Sequence, residues 1–330
     1  MEKNTIPWYL DAQLARVAHM MPLTDLTDYK KARQETEKFK TFVGKIAEDE
    51  RISISEKIIG APENNLELRI RIYKPEQSKD ILPALIYMHG GGFVLGDLEM
   101  EHARCQKMAG DAECMVIAVD FRLAPEHPFP CGLEDCYQAL CWVAENAETM
   151  QIDKDRIAVG GCSTGATLAA ALALMVRDKN GPAISFQFLL YPALDDRFET
   201  PSMSAFKDIP GGDISGAKLM WDYYLTDTDR KSMSYLAAPG RANDLSGLPP
   251  TYLMTNDIDV CRDEAFDYAQ RLLAVGVPTE FHCYAGAFHA FEFMVRTADL
   301  SVKALEQQMF VLRRALHSSG YVNIRGKTDV

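Results

Sequence analysis

The apolar positions change period several times along the chain, and each change predicts an element. Up to about Glu50 the spacing is helical: Leu10, Leu14 and Val17 recur at turn intervals before Met20-Met21-Pro22. A second helical segment, from Asp25 or Thr27 to Ala47, is charged on one side and carries Phe39, Phe42 and Val43. From about Arg51 the period drops to two. Ile52 and Ile54 alternate with serines, and Leu66 to Tyr73 alternates strictly, the mark of a half-exposed antiparallel strand. Pro83 to Met88 is a continuous apolar run and predicts a strand buried on both faces. Helical and strand patterns then take turns: a helix over Glu99 to Asp111, a strand over Cys114 to Val119, and a helix near Gly132 to Asn146. A short strand at Ile157 runs into an alanine-rich helix, and Ile184 to Tyr191 follows as a strand. The rhythm resumes with strands at Thr251 to Thr255 and Pro278 to Tyr284 around a helix ending near Ala274, and closes with a helix over Leu300 to Leu316. Alternation at this spacing predicts a mostly parallel sheet with right-handed crossovers.

Two stretches stand outside that rhythm. The helical start precedes the sheet, and residues 192–247 form a long insertion with aromatics at Phe206, Trp221, Tyr223 and Tyr224 and one clear helix near Ser215 to Leu225. Insertions of this size usually carry function. The expected organisation is therefore a helical cap segment at 1–50, an α/β core at 51–191, a cap insertion at 192–247, and the rest of the core at 248–330. The competing reading of the first helices is an arm packed on the back of the domain, and the insertion aromatics also suit the interior of a cap. Ser318 to Val330 is polar and reads as a loose tail.

Composition narrows the chemistry by exclusion. A net charge of −12, from 35 basic and 47 acidic residues, argues against a general nucleic-acid binder. The eight cysteines are scattered, with no C-x-x-C and no zinc spacing, so they read as buried thiols in a reducing compartment, and the cytoplasm is the expected location. No apolar run is long enough to cross a bilayer, and the N-terminus lacks a signal-like segment. Neither a P-loop nor a G-x-G-x-x-G after the first buried strand is present, and neither a metal nor a cofactor is expected.

The stretch Arg156 to Ala170 carries the candidate chemistry. It reads strand, tight turn, helix, with Gly161-Cys162-Ser163-Thr164-Gly165 at the corner, the G-x-S-x-G pattern of a nucleophile elbow. In an open α/β sheet, residues just past the carboxyl ends of the strands gather at one edge. His89-Gly90-Gly91-Gly92-Phe93, the Ser163 corner, and the loops at Asp259 and His289 all fall there. A serine needs a base, and the base needs a carboxylate to fix its tautomer; the order Ser163, Asp259, His289 suits that chemistry on such a sheet. Asp257 competes with Asp259 for the carboxylate role. The glycine run offers unblocked backbone N–H groups for a developing oxyanion, and losing one such donor costs roughly a hundred- to a thousandfold in rate.

On these residues the sequence resembles the hormone-sensitive-lipase-like esterases of the α/β-hydrolase fold. The resemblance spans about Tyr73 to His289 and rests on five blocks in order: H-G-G-G-F at His89, D-F-R-L-A-P-E-H-P-F-P from Asp120, G-C-S-T-G-A at Gly161, D-V-C-R-D-E at Asp259 and G-A-F-H-A-F at Gly286. It implies an α/β-hydrolase fold with an eight-stranded, mostly parallel sheet and a helical cap. Ser163 is then the nucleophile, His289 the base, Asp259 the orienting acid, and Gly91, Gly92 and Thr164 the oxyanion donors. Phe93, Met20, Met21 and Phe206 are candidates to line the substrate pocket, and His89 and His127 read as structural. The implied reaction is hydrolysis of short- to medium-chain carboxylic esters through an acyl-enzyme, on small soluble substrates, without cofactor or metal. Amides, carbamates and lactones suit the same triad, and a non-catalytic binding protein on this fold is the rival from another class. The family also admits a homodimer through the last strand or terminal helix. This sequence departs from the usual G-D-S-A-G-G at three elbow positions. Cys162 replaces an acid and removes a polar contact, Thr164 brings a branched side chain toward the oxyanion site, and Ala166 replaces a glycine. Cys162 is further expected to make the protein sensitive to thiol reagents.

Overall fold

Eight strands hydrogen-bond into one sheet in the computed structural model, which describes residues 9–18, 25–43, 47–60, 67–76, 80–206, 209–212 and 214–318, without side chains at 39–43. The strands are β1 (Ile52–Ile59), β2 (Leu68–Pro75), β3 (Leu82–Met88), β4 (Met115–Val119), β5 (Ile152–Cys162), β6 (Phe186–Leu190), β7 (Thr251–Ile258) and β8 (Thr279–Phe288), in the order β1-β2-β4-β3-β5-β6-β7-β8. Pairing is antiparallel at β1–β2 and β2–β4 and parallel from β4 to β8. The order turns back between β4 and β5 around β3, so the carboxyl ends of β3 and β5 lie side by side, with Met88 opposite Gly161. That crevice is where ligands bind in open α/β sheets.

The helices are α1 (Ala12–Ala18), α2 (Tyr29–Val43), α3 (His102–Asp111), α4 (Cys131–Glu145), α5 (Ala147–Met150), α6 (Thr164–Lys179), α7 (Pro201–Ala205), α8 (Ile214–Tyr224), α9 (Arg262–Ala274), α10 (Phe291–Met294) and α11 (Asp299–His317). The period of two in β3 sorts them onto two faces. Ile86 and Met88 point to a core shared with α4, α6 and α9, and Leu85 and Tyr87 to one shared with α1, α3 and α11. α6 is buried from Thr164 through Val176, which is why it is written almost wholly in alanine and leucine. Small side chains let it lie close to β5 and β6.

One strand departs from its pattern. β2 is antiparallel as expected, but its second face is not open to solvent: Arg71 and Tyr73 are buried. α3 covers that face, and Arg71 is neutralised there by Glu56 and Glu99 while Tyr73 bonds His102. The alternation reflects charge on a covered face, so strict period two does not here mean exposure.

The N-terminal segment and the insertion meet over the end of the sheet. The Tyr223 hydroxyl of α8 donates to the Leu26 carbonyl at 3.0 Å, and the rings of Tyr29 and Tyr223 meet edge to face. From α2, Arg33 donates to the carbonyls of Val94 and Ala124 and pairs with Glu126. The end of the insertion instead runs back along the core, where Arg177 of α6 donates to the carbonyls of Asp244 and Ser246 and Arg271 of α9 to that of Gly240. Among the described residues, no helix is long and apolar enough to cross a membrane.

Candidate active site

Ser163 sits between the last residue of β5 and the first of α6, at φ 53 and ψ −126. An L-residue there is strained by roughly 1–3 kcal/mol, and the turn that imposes it pushes the side chain out of the sheet. Two glycines make the turn physically possible. A Cβ on Gly161 would lie 2.5 Å from the Gly165 carbonyl carbon, and one on Gly165 would lie 2.2 Å from the Met88 carbonyl oxygen. The third elbow position has no such demand, and Ala166 buries its methyl in the core around α6.

His289, just beyond β8, brings both ring nitrogens into use. Nε2 lies 2.9 Å from Ser163 Oγ and Nδ1 lies 2.8 Å from Asp259 Oδ2. Asp259 is fully buried at the end of β7; its Oδ1 accepts the Cys261 N–H at 2.9 Å, and Asn256 Nδ2 donates weakly to Oδ2 at 3.3 Å. Asp257 is engaged elsewhere, accepting the Gly286 N–H at 2.9 Å and so pinning the turn that leads to His289. The two aspartates thus divide the work, with Asp259 alone facing the histidine. Burial on its own would lower the pKa of His289, but the charge and hydrogen bond of Asp259 outweigh it and hold the imidazole above its usual value.

The glycine loop after β3 is the second wall. Gly91 and Gly92 take φ of 120 and 67, which favour glycine, and a Cβ on Gly91 would meet the Leu95 carbonyl oxygen at 2.2 Å. Among the described residues neither of their N–H groups has an acceptor. His89 is the structural residue expected: its buried ring stacks on Phe121 at 4.2 Å, and Nδ1 donates to the Gly90 carbonyl at 2.7 Å. The block from Asp120 braces the loop from outside, with the Ala124 N–H donating to the Phe93 carbonyl and Arg122 clamped on buried Asp135. Thr164, expected to crowd this region, ties it down instead. Its Oγ1 accepts the Phe93 N–H at 3.1 Å, joining the glycine loop to the elbow.

Two expectations about Cys162 need correction. Cys162 does not leave a missing contact, because Glu101, at the N-cap of α3, supplies a carboxylate and the thiol donates to its Oε1 at 3.3 Å. The same burial raises the Cys162 pKa well above that of a free thiol, with the Glu101 charge adding to it, which disfavours reaction with thiol reagents. Of the pocket candidates, Met20 and Met21 lie outside the described residues. Phe93 is 2% exposed, stacked on Tyr224 at 3.7 Å, and Phe206 is 1% exposed beneath the Arg262 guanidinium. Neither ring is presented to solvent. From the insertion Met220 also approaches the glycine loop, where a Cβ on Gly92 would meet it at 3.3 Å. Gly211 fills the same role at the histidine, where its Cβ would lie 2.9 Å from that of His289.

Sequence reasoning passed over a buried polar group beneath this site, made of Glu101, Arg104, Tyr191 and Glu292. No motif marks them. A charged residue inside the apolar run Phe291-Glu292-Phe293-Met294, just after a candidate histidine, was the available signal.

A family model described as alpha/beta hydrolase fold matches residues 85–293, more than half of the chain. The esterase LipI of Mycobacterium tuberculosis is 37% identical over 249 residues, covering 75% of this chain and 78% of its own. The carboxylesterase NlhH of the same organism is 36% identical over 270 residues, covering 81% and 84%. Among solved structures, a bacterial heroin esterase superposes with a TM-score of 0.91 at 38% identity, covering 94% of this chain and 99% of that one.

Proposed function

The chain belongs to the α/β-hydrolase fold family, in its hormone-sensitive-lipase-like branch, and from that premise we propose that it is a serine carboxylesterase for small esters. The observation that carries this reading is the continuous hydrogen-bond chain Asp259–His289–Ser163, at 2.8 and 2.9 Å, ending on a strained serine. Ser163 attacks the ester carbonyl while His289 Nε2 takes its proton, and Asp259 holds the imidazole in the tautomer that leaves Nε2 free and steadies its charge. The N–H groups of Gly91, Gly92 and Thr164 receive the oxyanion, the Thr164 N–H lying at the start of α6 where the helix dipole favours negative charge. His289 returns the proton to the departing alcohol. Water then attacks the acyl-enzyme, with His289 again as base, and the acid is released.

The helices before the sheet and the insertion act as a cap over this edge. The contacts of Tyr223 with Leu26, of Met220 with the glycine loop at Gly92, and of Phe93 with Trp221 and Tyr224 of α8 support that reading. A covered pocket of this kind suits short to medium acyl chains. Eight unpaired cysteines support a cytoplasmic setting, and the edge position of β8 with Phe310 exposed on α11 supports a homodimer. The test is hydrolysis of 4-nitrophenyl esters from acetate to palmitate by the wild type and Ser163→Ala. Activity best on the shorter chains, falling by several orders of magnitude in the variant, is expected. A folded wild type inert on every ester, or an active Ser163→Ala protein, would overturn the reading.

A further inference from the structure

Beneath the triad lies a set of charged groups that the reaction as written does not use. Arg104 on α3 is buried, with Nε donating to Glu101 Oε2 at 2.8 Å, Nη1 to Glu292 Oε1 at 3.1 Å and Nη2 to the Tyr191 hydroxyl at 3.1 Å. Glu292 lies three residues past His289 and is wholly removed from solvent. Its Oε1 also accepts the Tyr191 hydroxyl at 2.9 Å and Gln308 Nε2 at 3.3 Å, while Oε2 has no partner among the described residues. Glu101 is bonded in turn by Cys162 and by the Tyr87 hydroxyl. Two buried carboxylates thus share the Arg104 guanidinium, and Arg296, stacked with Arg104 on the Phe293 ring, is the second cation beside them.

The geometry says where the charge of Glu292 is directed. Tyr191 follows β6 at φ 39, its N–H donating to the Met254 carbonyl, and this backbone fixes the ring against His289, edge to face at 4.8 Å and 65°. One end of Tyr191 therefore touches the histidine and the other is held by Glu292 and Arg104. The groups facing His289 are Ser163 from the elbow, Asp259 from β7 and Tyr191 from β6, with Gly211 backbone on the insertion side. Behind them stand Glu292 from α10, Arg104 from α3, Glu101 at the N-cap of α3, and Cys162 from β5; Arg296 lies toward Arg104 and Glu101, and the phenols of Tyr252 and Tyr284 lie toward Glu292 from β7 and β8. Both Asp259 and Glu292 act to raise the histidine.

We propose that Glu292 is a positioning residue for His289, a second carboxylate that works through Tyr191 to fix the ring and favours the imidazolium formed during ester cleavage. This also gives the elbow departure a meaning. The carboxylate absent at Cys162 is supplied by Glu101 at the N-cap of α3, and Arg104 links it to Glu292 beyond the histidine. The inference rests on the triad reading above.

Glu292→Gln keeps the shape and removes the charge. A unit charge within about 10 Å, at an effective dielectric of about 20, moves a pKa by about one unit. The acid limb of kcat/KM is therefore expected to move down by about one pH unit, with plateau kcat falling about tenfold and KM unchanged. A purely structural role would lower thermal stability and leave the limb in place. Tyr191→Phe keeps the ring but cuts its bonds to Glu292 and Arg104, and is expected to lower kcat about threefold to tenfold at constant KM. A folded Glu292→Gln protein with the wild-type limb overturns the proposal, and if that variant does not fold, wild-type kcat in Tyr191→Phe does so. Ser163→Ala assayed alongside separates the two readings: an active Ser163→Ala protein overturns the triad, whereas an inactive one with an unmoved Glu292→Gln limb overturns this inference alone.

Discussion

Thr164→Val offers a perturbation whose size can be worked from the structure. Valine matches threonine in shape and removes one atom of consequence, the Oγ1 that accepts the Phe93 N–H at 3.1 Å. Both groups are buried, so the variant leaves an amide donor without a partner and without water. That costs about 1–3 kcal/mol. The glycine loop can recover part of it by moving Phe93, and Gly92 must then move with it, because its N–H is one residue away along the chain. A displaced oxyanion donor acts on the transition state and not on the bound ester. The expected result is a fall in kcat of roughly fivefold to 150-fold on 4-nitrophenyl acetate, with KM little changed. Thr164→Ser restores the acceptor and is expected to return most of the rate. Steady-state kinetics of the three proteins, each checked for an intact melting transition, tests this. Wild-type kcat in folded Thr164→Val would refute the view that Thr164 latches the oxyanion loop.

Other consequences follow from the same geometry. Asp259→Asn should lower kcat by roughly a thousandfold or more, since the amide cannot hold the imidazole in the working tautomer, whereas Asp257→Asn, which faces Gly286, should cost far less; steady-state rates compare them. His289 is held above the usual imidazole pKa and must be neutral to act as base, so kcat/KM should fall on acidification with an apparent pKa above 6.5, as a pH–rate profile would show. Cys162, buried with its pKa raised, should resist iodoacetamide in the native state while half-exposed Cys131 reacts more readily, which peptide mapping by mass spectrometry would reveal.

The sheet and the meeting of Ser163, His289 and Asp259 at its edge are legible in the chain because local rules and global placement agree there. β3 is continuous apolar sequence because both its faces are covered, and Gly161 and Gly165 stand where a Cβ would strike backbone. Asp259 was separable from Asp257 by the block it heads, and the structure gives the physical reason, a hydrogen bond from Gly286 that occupies the other carboxylate. What stayed hidden depends on long-range burial. Arg71 looks like a surface residue on an alternating strand until α3 is laid over it, and Arg104 with Glu101 and Glu292 looks like ordinary helix-surface charge until three elements close around it. The latch at Thr164 is hidden for the same reason: its size is local information, but the partner of its hydroxyl lies 71 residues away. That Phe93 and Phe206 are buried likewise depends on packing that brings distant elements over each ring.

The central claim is that Ser163 is the nucleophile activated by His289. Diethyl 4-nitrophenyl phosphate tests it most directly, because attack by an activated serine expels 4-nitrophenolate and leaves a diethylphosphoryl group that is slow to leave. Intact-mass and peptide measurements should find one such group per chain, on Ser163, with loss of esterase activity in step, and none on Ser163→Ala. Labelling at another residue, or an unlabelled Ser163 in protein that still hydrolyses esters, would contradict the account.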